Sequence, residues 1–132
     1  MRKIASLMAV LFVVAMIFSP QAMAKRETVI KIGINAPMTG DIPKVGEGSK
    51  YAAEMWLEDV MKAGGILVGG KRYKVEIVLE DNESKAESAV KANTKMITQD
   101  DVLAIVGPQS SKQAVPAGEV ANKYRTVMIS PW

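Results

Sequence analysis

The 132-residue chain has no cysteine and no histidine, and its aromatics are limited to two Trp, three Tyr and two Phe. Without cysteine there is no disulfide framework and no thiol chemistry. Without histidine as well, most transition-metal sites and the common nucleophile–base pairs lack their residues. The sequence also lacks G-x-G-x-x-G, G-x-x-x-x-G-K-[ST] and G-x-S-x-G, so dinucleotide, phosphate-loop and nucleophile-elbow chemistry have no anchor in it. No basic stripe interleaved with aromatics is present, and the net charge of +3 therefore does not point to nucleic acid. These absences argue against an enzyme and against a bound cofactor or metal.

What is present begins with an export signal. Arg2 and Lys3 precede an almost unbroken apolar run, Ile4 to Phe18, and Ala22-Met23-Ala24 supplies the small residues of a cleavage site. The run is shorter than the roughly 20 residues needed to span a bilayer. Residues 1–24 are expected to be a signal peptide cleaved after Ala24, giving a periplasmic protein; no Cys follows to take a lipid. Removal of Arg2 and Lys3 leaves 15 basic and 14 acidic residues, close to neutral. The remaining 108 residues, Lys25 to Trp132, suffice for one small domain's core.

From Lys25 onward strand and helix signals alternate. Val29–Asn35 alternates around Lys31 and predicts the first strand, followed by a Pro/Gly/Thr-rich loop, Ala36–Val45. A helix is expected from about Gly46 to Ala63, with Ala52, Met55, Trp56, Val60 and Ala63 as its apolar stripe and Gly64-Gly65 as its stop. Ile66–Lys74 reads as a connector with a tight turn at Gly69-Gly70, and Tyr73–Glu80 as the second strand. Ser84 with Glu87 forms a capping-box pattern opening a helix to about Gln99. Asn93 falls in the middle of that helix's apolar face, where a hydrogen bond is expected. Glu80, Asp81 and Glu83 read as a solvated turn, and the sequon Asn82-Glu83-Ser84 is close to a chance match.

The most informative stretch is Val102–Ser111, V-L-A-I-V-G-P-Q-S-S. Five apolar residues ending in a Gly-Pro break fit a strand buried on both faces. The Ser pair then opens a helix, Ser111–Tyr124, in which Pro116 is expected to introduce a kink; a short strand, Thr126–Ile129, follows. A helix start above a buried strand leaves unpaired N–H groups and a positive dipole end, which suit an anion. The alternation predicts an α/β fold, a doubly wound parallel sheet of order 2-1-3-4. In such sheets ligands sit beyond the carboxyl ends of the strands at the switch point, here between Ala36–Val45 and Gly107–Ser111.

Ile30–Gly40 (I-K-I-G-I-N-A-P-M-T-G), Ala63–Ile66 (A-G-G-I), Gly70–Asp81 (G-K-R-Y-K-V-E-I-V-L-E-D), Ala104–Ser111 (A-I-V-G-P-Q-S-S) and Val127–Pro131 (V-M-I-S-P) occur in that order. Together they resemble the start of the periplasmic leucine/isoleucine/valine-binding protein family, the amino-acid-type solute receptors of ABC importers. The resemblance implies a two-lobe fold closing on a small solute, of which residues 25–132 would form a partial first lobe. It also implies that Ser111 binds the solute carboxylate with help from N–H groups at its helix start, around Gln109 and Ser110. Trp132, directly after the Ser-Pro pair, would give main-chain contacts, with its ring placed to line the cleft. Val45 stands where some relatives carry an aromatic, and Ser84 and Ser110 stand where some carry a Cys pair.

The expected function is an extracytoplasmic solute-binding receptor for amino acids or related small carboxylates and amides, monomeric when full length. Its partners would be the solute and the membrane permease of an importer, with no nucleic acid. The ligand-binding ectodomain of a sensory receptor shares this architecture and is the alternative, told apart by a later transmembrane segment. An exported α/β enzyme is a third reading, whose histidine would have to lie downstream.

Overall fold

The computed structural model describes residues 28–131. Trp132 and the export signal lie outside them. β1 (Val29–Ala36) is the central strand, and its alternation decides which side chains meet which layer of helices. It pairs in parallel with β3 (Lys71–Asp81) from Val29↔Lys74 to Ala36↔Asp81, and with β4 (Ala104–Val106) from Ile32↔Ala104 to Ile34↔Val106. β5 (Val127–Ile129) pairs in parallel with β4. The parallel strands thus run in the expected 2-1-3-4 order.

One strand was not foreseen. β2 (Ile66–Val68) pairs antiparallel with the start of β3, giving a five-stranded order β2-β3-β1-β4-β5. The connector becomes a hairpin because Gly69 (φ 56°) and Gly70 (φ 78°) both take the left-handed conformation that a two-residue primed turn requires. β3 accordingly begins two residues earlier than its alternation suggests.

α1 (Pro43–Lys62) starts three residues before the expected Gly46, with Pro43 in the first turn, where a missing N–H is harmless. Gly65 N–H donates to Val60 O (2.8 Å) and Gly64 N–H to Met61 O (2.9 Å), a Schellman stop as foreseen. Its buried stripe is a correction. Met55 is 69% exposed and Trp56 42%, and Ala52 and Ala63 are exposed too; the half-buried positions are Ala53, Leu57 and Val60. The helix packs on β3 and β1 of its sheet face and leaves β4 uncovered. Its other apolar flank, Ala52 and Trp56, borders an open groove of about 520 Å³ floored by Ile32, Ile34, Ala104 and Val106.

The opposite face is closed by α2 (Ala86–Thr98) and α3 (Ser111–Tyr124), which pack on each other. Ala92, Met96, Val102 and Ile105 form the core there, with Val78, Ile97 and Met128 against it. Gly33 lies directly under Met96 on this side: a Cβ would stand 2.6 Å from the Met96 sulfur, so the Met side chain would have to shift. Asn93 is fully buried and hydrogen-bonded, as expected. α3 continues through Pro116 as a single helix, and β4 is two residues shorter than its apolar run.

The capping box at Ser84 does not form. Lys85 is the N-cap residue of α2, with no side-chain cap, and Glu87 pairs instead with Lys91 at 2.6 Å. Glu83 (φ 51°) and Ser84 (φ 59°) both adopt positive φ, which turns the Ser84 hydroxyl away from the helix. No helix among the described residues is long and apolar enough to cross a membrane.

Candidate ligand site at the start of helix α3

β4 ends in a loop whose backbone is held on both sides. Gly107 (φ 101°) lies so close to β1 that a Cβ would stand 2.1 Å from Asn35 O, so only glycine fits. Its N–H donates to Ile129 O (2.8 Å), and the Ser130 hydroxyl donates to Pro108 O (2.8 Å). The Gly107–Pro108 peptide is cis. The loop is thereby pinned between the carboxyl ends of β1 and β5, and α3 starts directly above the sheet.

Ser110 has the extended backbone of an N-cap residue (φ −140°, ψ 134°), and its carbonyl accepts from Gln113 N–H (2.9 Å) and Ala114 N–H (2.7 Å). Its hydroxyl does not cap the helix. Nothing among the described residues accepts from the N–H groups of Ser111 or Lys112, or bonds to the hydroxyls of Ser110 and Ser111. Two main-chain donors and two hydroxyls therefore remain available at the positive end of a 14-residue helix whose first turn holds no acidic residue.

These groups border a cavity of about 450 Å³ together with Ile42, Val45, Gln109 and Lys112. Of the residues singled out from the sequence, Val45, Gln109, Ser110 and Ser111 meet here, and Trp132 lies outside the described residues. Ile42 and Lys112 were not foreseen. Ile42 carries no chemical signal, and Lys112 reads as one of many surface lysines.

The wall opposite α3 is the loop before α1, and its latch was also missed. Asp81, at the end of β3, accepts through Oδ1 from Met38 N–H (3.0 Å), Thr39 N–H (3.2 Å) and Glu83 N–H (2.8 Å). Its Oδ2 accepts from the Thr39 hydroxyl at 2.6 Å. Burial opposes ionisation of Asp81, but the bonds from Thr39, Glu83 and Met38 outweigh it and hold the carboxyl below its ordinary range. The Ser84 hydroxyl accepts from Ile42 N–H (3.2 Å) and donates to Thr39 O (2.9 Å). Asp81 and Ser84 thus shape the segment presenting Ile42 and Val45. Glu80 pairs with Lys95, and Glu83 with Lys85 at 3.1 Å, so the acidic run is consumed by structure. Asn82 is completely buried and offers no glycosylation site. Among the described residues no three acidic side chains converge as a metal site needs.

A family model described as periplasmic binding protein matches residues 29–132. The chain belongs to the periplasmic binding protein family. Among the relatives of this chain is the Leu/Ile/Val-binding protein BraC3 of Rhizobium johnstonii, 32% identical over 119 residues. That match covers 90% of this chain and 30% of the relative. Among solved structures, the branched-chain amino acid transporter substrate binding protein LivJ of Streptococcus pneumoniae, in complex with isoleucine, is 33% identical with a TM-score of 0.72. It is matched over 79% of this chain and 29% of its own. The leucine binding protein LivK of Thermotoga maritima is 26% identical with a TM-score of 0.62, over 77% of this chain and 27% of its own. The chain thus spans about three tenths of the length of the relatives it matches.

Proposed function

We propose that residues 25–132 form part of the first lobe of a periplasmic receptor that delivers amino acids, or related small carboxylates and amides, to an ABC importer. The observation that carries this reading is the cavity at the α3 start, bordered by Ser110, Ser111 and Lys112, whose Ser111 and Lys112 N–H groups and Ser110 and Ser111 hydroxyls have no partners among the described residues. Carboxylate oxygens accept from such donors, and the helix dipole favours their charge. Ser111 is the direct carboxylate ligand, Val45 and Gln109 border the same space, and Trp132 adds the cleft wall after the Ser-Pro pair. Residues 1–24 direct export and are removed after Ala24, and the second lobe completes enclosure of the solute. The receptor acts as a monomer with the importer's permease as its partner and performs no chemistry on the solute.

Thermal-shift screening of the full-length protein against amino acids, amides and small organic acids tests this. A ligand at 100 times its dissociation constant stabilises by about 2.7 kcal/mol. A clear rise in melting temperature with at least one such solute is expected. No shift with any of them overturns the reading.

A further inference from the structure

The two walls of the cavity at the α3 start are carried by segments with different supports. Ile42 and Val45 come from the loop before α1 and from its first turn, and α1 packs on β3 and β1. Gln109, Ser110, Ser111 and Lys112 come from the loop after β4 and the start of α3, which packs on α2 and β5. A side-chain relay joins the two. Gln109, only 5% exposed, donates from Nε2 to Ser49 Oγ, in the second turn of α1, at 2.7 Å. Ser49 Oγ donates in turn to Val45 O, one turn back, at 2.9 Å. A hydroxyl has one proton, so Ser49 meets Gln109 as an acceptor and Val45 as a donor. Among the described residues no other hydrogen bond or ion pair joins residues 37–62 to residues 107–124. On the β3 side the same wall is held several times over, through Asp81 to Met38 and Thr39 and through Ser84 to Ile42.

We propose that Ser49 is a positioning residue of the solute site. Through Gln109 it sets how far Ile42 and Val45 stand from the donors of Ser110 and Ser111, and hence how well a solute spanning both walls is held. Ser49 borders the neighbouring apolar groove and not this cavity, so it acts through Val45 and Gln109. This rests on the receptor reading above and adds to it the contact that fixes the width of the site. A wall already in place spares the solute the cost of ordering it, whereas a site about 1 Å too loose loses affinity with every contact residue still present. A solute short enough to meet the Ser110–Ser111 side alone is insensitive to the tie.

The test is titration calorimetry on the full-length protein with leucine and alanine, whose side chains differ by three carbons. The wild type is expected to bind leucine more tightly by roughly tenfold or more, since the longer side chain reaches the apolar wall. Ser49→Ala should weaken leucine by about 3- to 10-fold, the net worth of one hydrogen bond, and alanine by less than about twofold. Ser49→Thr keeps the hydroxyl and should restore leucine binding. Gln109→Met removes the same bond from the other wall, should reproduce the leucine-against-alanine pattern, and serves where Ser49→Ala does not fold. Equal losses for both solutes, or a loss that Ser49→Thr does not restore, mark a merely structural role and overturn the assignment. So does a Ser49→Ala variant that binds as the wild type does, or a wild type that does not favour leucine over alanine. Each of these leaves the receptor reading standing. Absence of binding by every amino acid, amide and small organic acid tried overturns both.

Discussion

Asn35 at the end of β1 donates from its side-chain amide to Asn93 Oδ1 in α2, 2.8 Å away across 58 residues of sequence, with both side chains completely buried. The same Asn35 amide reaches Ala89 O (3.0 Å), its Oδ1 accepts from Asn82 Nδ2 (2.8 Å), and Asn93 Nδ2 donates to Ala117 O (2.9 Å) in α3. Three asparagines thus join β1, the end of β3, α2 and α3 directly beneath the loops that build the cavity. Each remaining partner is costly to leave unpaired in so dry a place.

Replacing Asn93 by Ala is therefore expected to destabilise by about 2–4 kcal/mol, combining lost packing with an orphaned Asn35 side-chain N–H. Urea denaturation checks this through the midpoint. The Asn35→Ala and Asn93→Ala double mutant should fall short of the summed single effects, since the two share a bond.

Gly107→Ala should damage the site through the backbone. The new Cβ would overlap Asn35 O, and alanine in this left-handed region adds strain of about 1–3 kcal/mol before the overlap is counted. Reduced stability together with weakened solute binding is the expected outcome, read by thermal melting and calorimetry. Gly48, with nothing within 4 Å of its Cβ position, is the control and should tolerate alanine.

Asp81 makes the loop before α1 acid-sensitive. Its carboxyl is held below the ordinary value of 3.8, so it binds protons less readily folded than unfolded. Its contribution is present above the unfolded value and disappears as pH falls through the lower folded one. Asp81→Asn should flatten this part of the acid limb of stability and loosen the Thr39 segment. The measurement is melting temperature against pH from 7 to 2, comparing variant with wild type. An identical acid limb in the two proteins removes Asp81 from the account.

Ser111→Ala should lower affinity for a carboxylate solute by about 10- to 100-fold, as expected for a hydrogen bond to a charged group. Melting temperature without solute should barely change, because the hydroxyl has no partner among the described residues. Calorimetry on the full-length protein provides both comparisons.

Lys25–Trp132 produced alone should aggregate and bind amino acids no more tightly than roughly millimolar. Trp56 is 42% exposed, Val127 60% and Ile129 61%, beside an apolar groove of about 520 Å³. Such a surface on an isolated piece invites association. A micromolar dissociation constant from a monodisperse sample would refute the need for a second lobe.

Much of this molecule is written locally. The sequence by itself determined the central strand, the bounds of α3, the glycine stop of α1, the order of the parallel strands and the clustering of Gln109, Ser110 and Ser111 at the switch point. Period-2 and helical patterns, turn residues and the right-handedness of crossovers are properties of short segments, legible without their neighbours. Only the tertiary structure decided which flank of α1 is buried, because Ala52, Met55 and Trp56 are as apolar as Ala53, Leu57 and Val60, and the sheet covers one set alone. It likewise decided the fate of the small polar residues. Ser84 left its helix to hold a loop 45 residues away, the Ser pair left α3 uncapped, and Ser49 met Gln109 across 60 residues. A hydroxyl or amide can satisfy almost any neighbour, so its partner depends on which distant segment the fold brings within 3 Å.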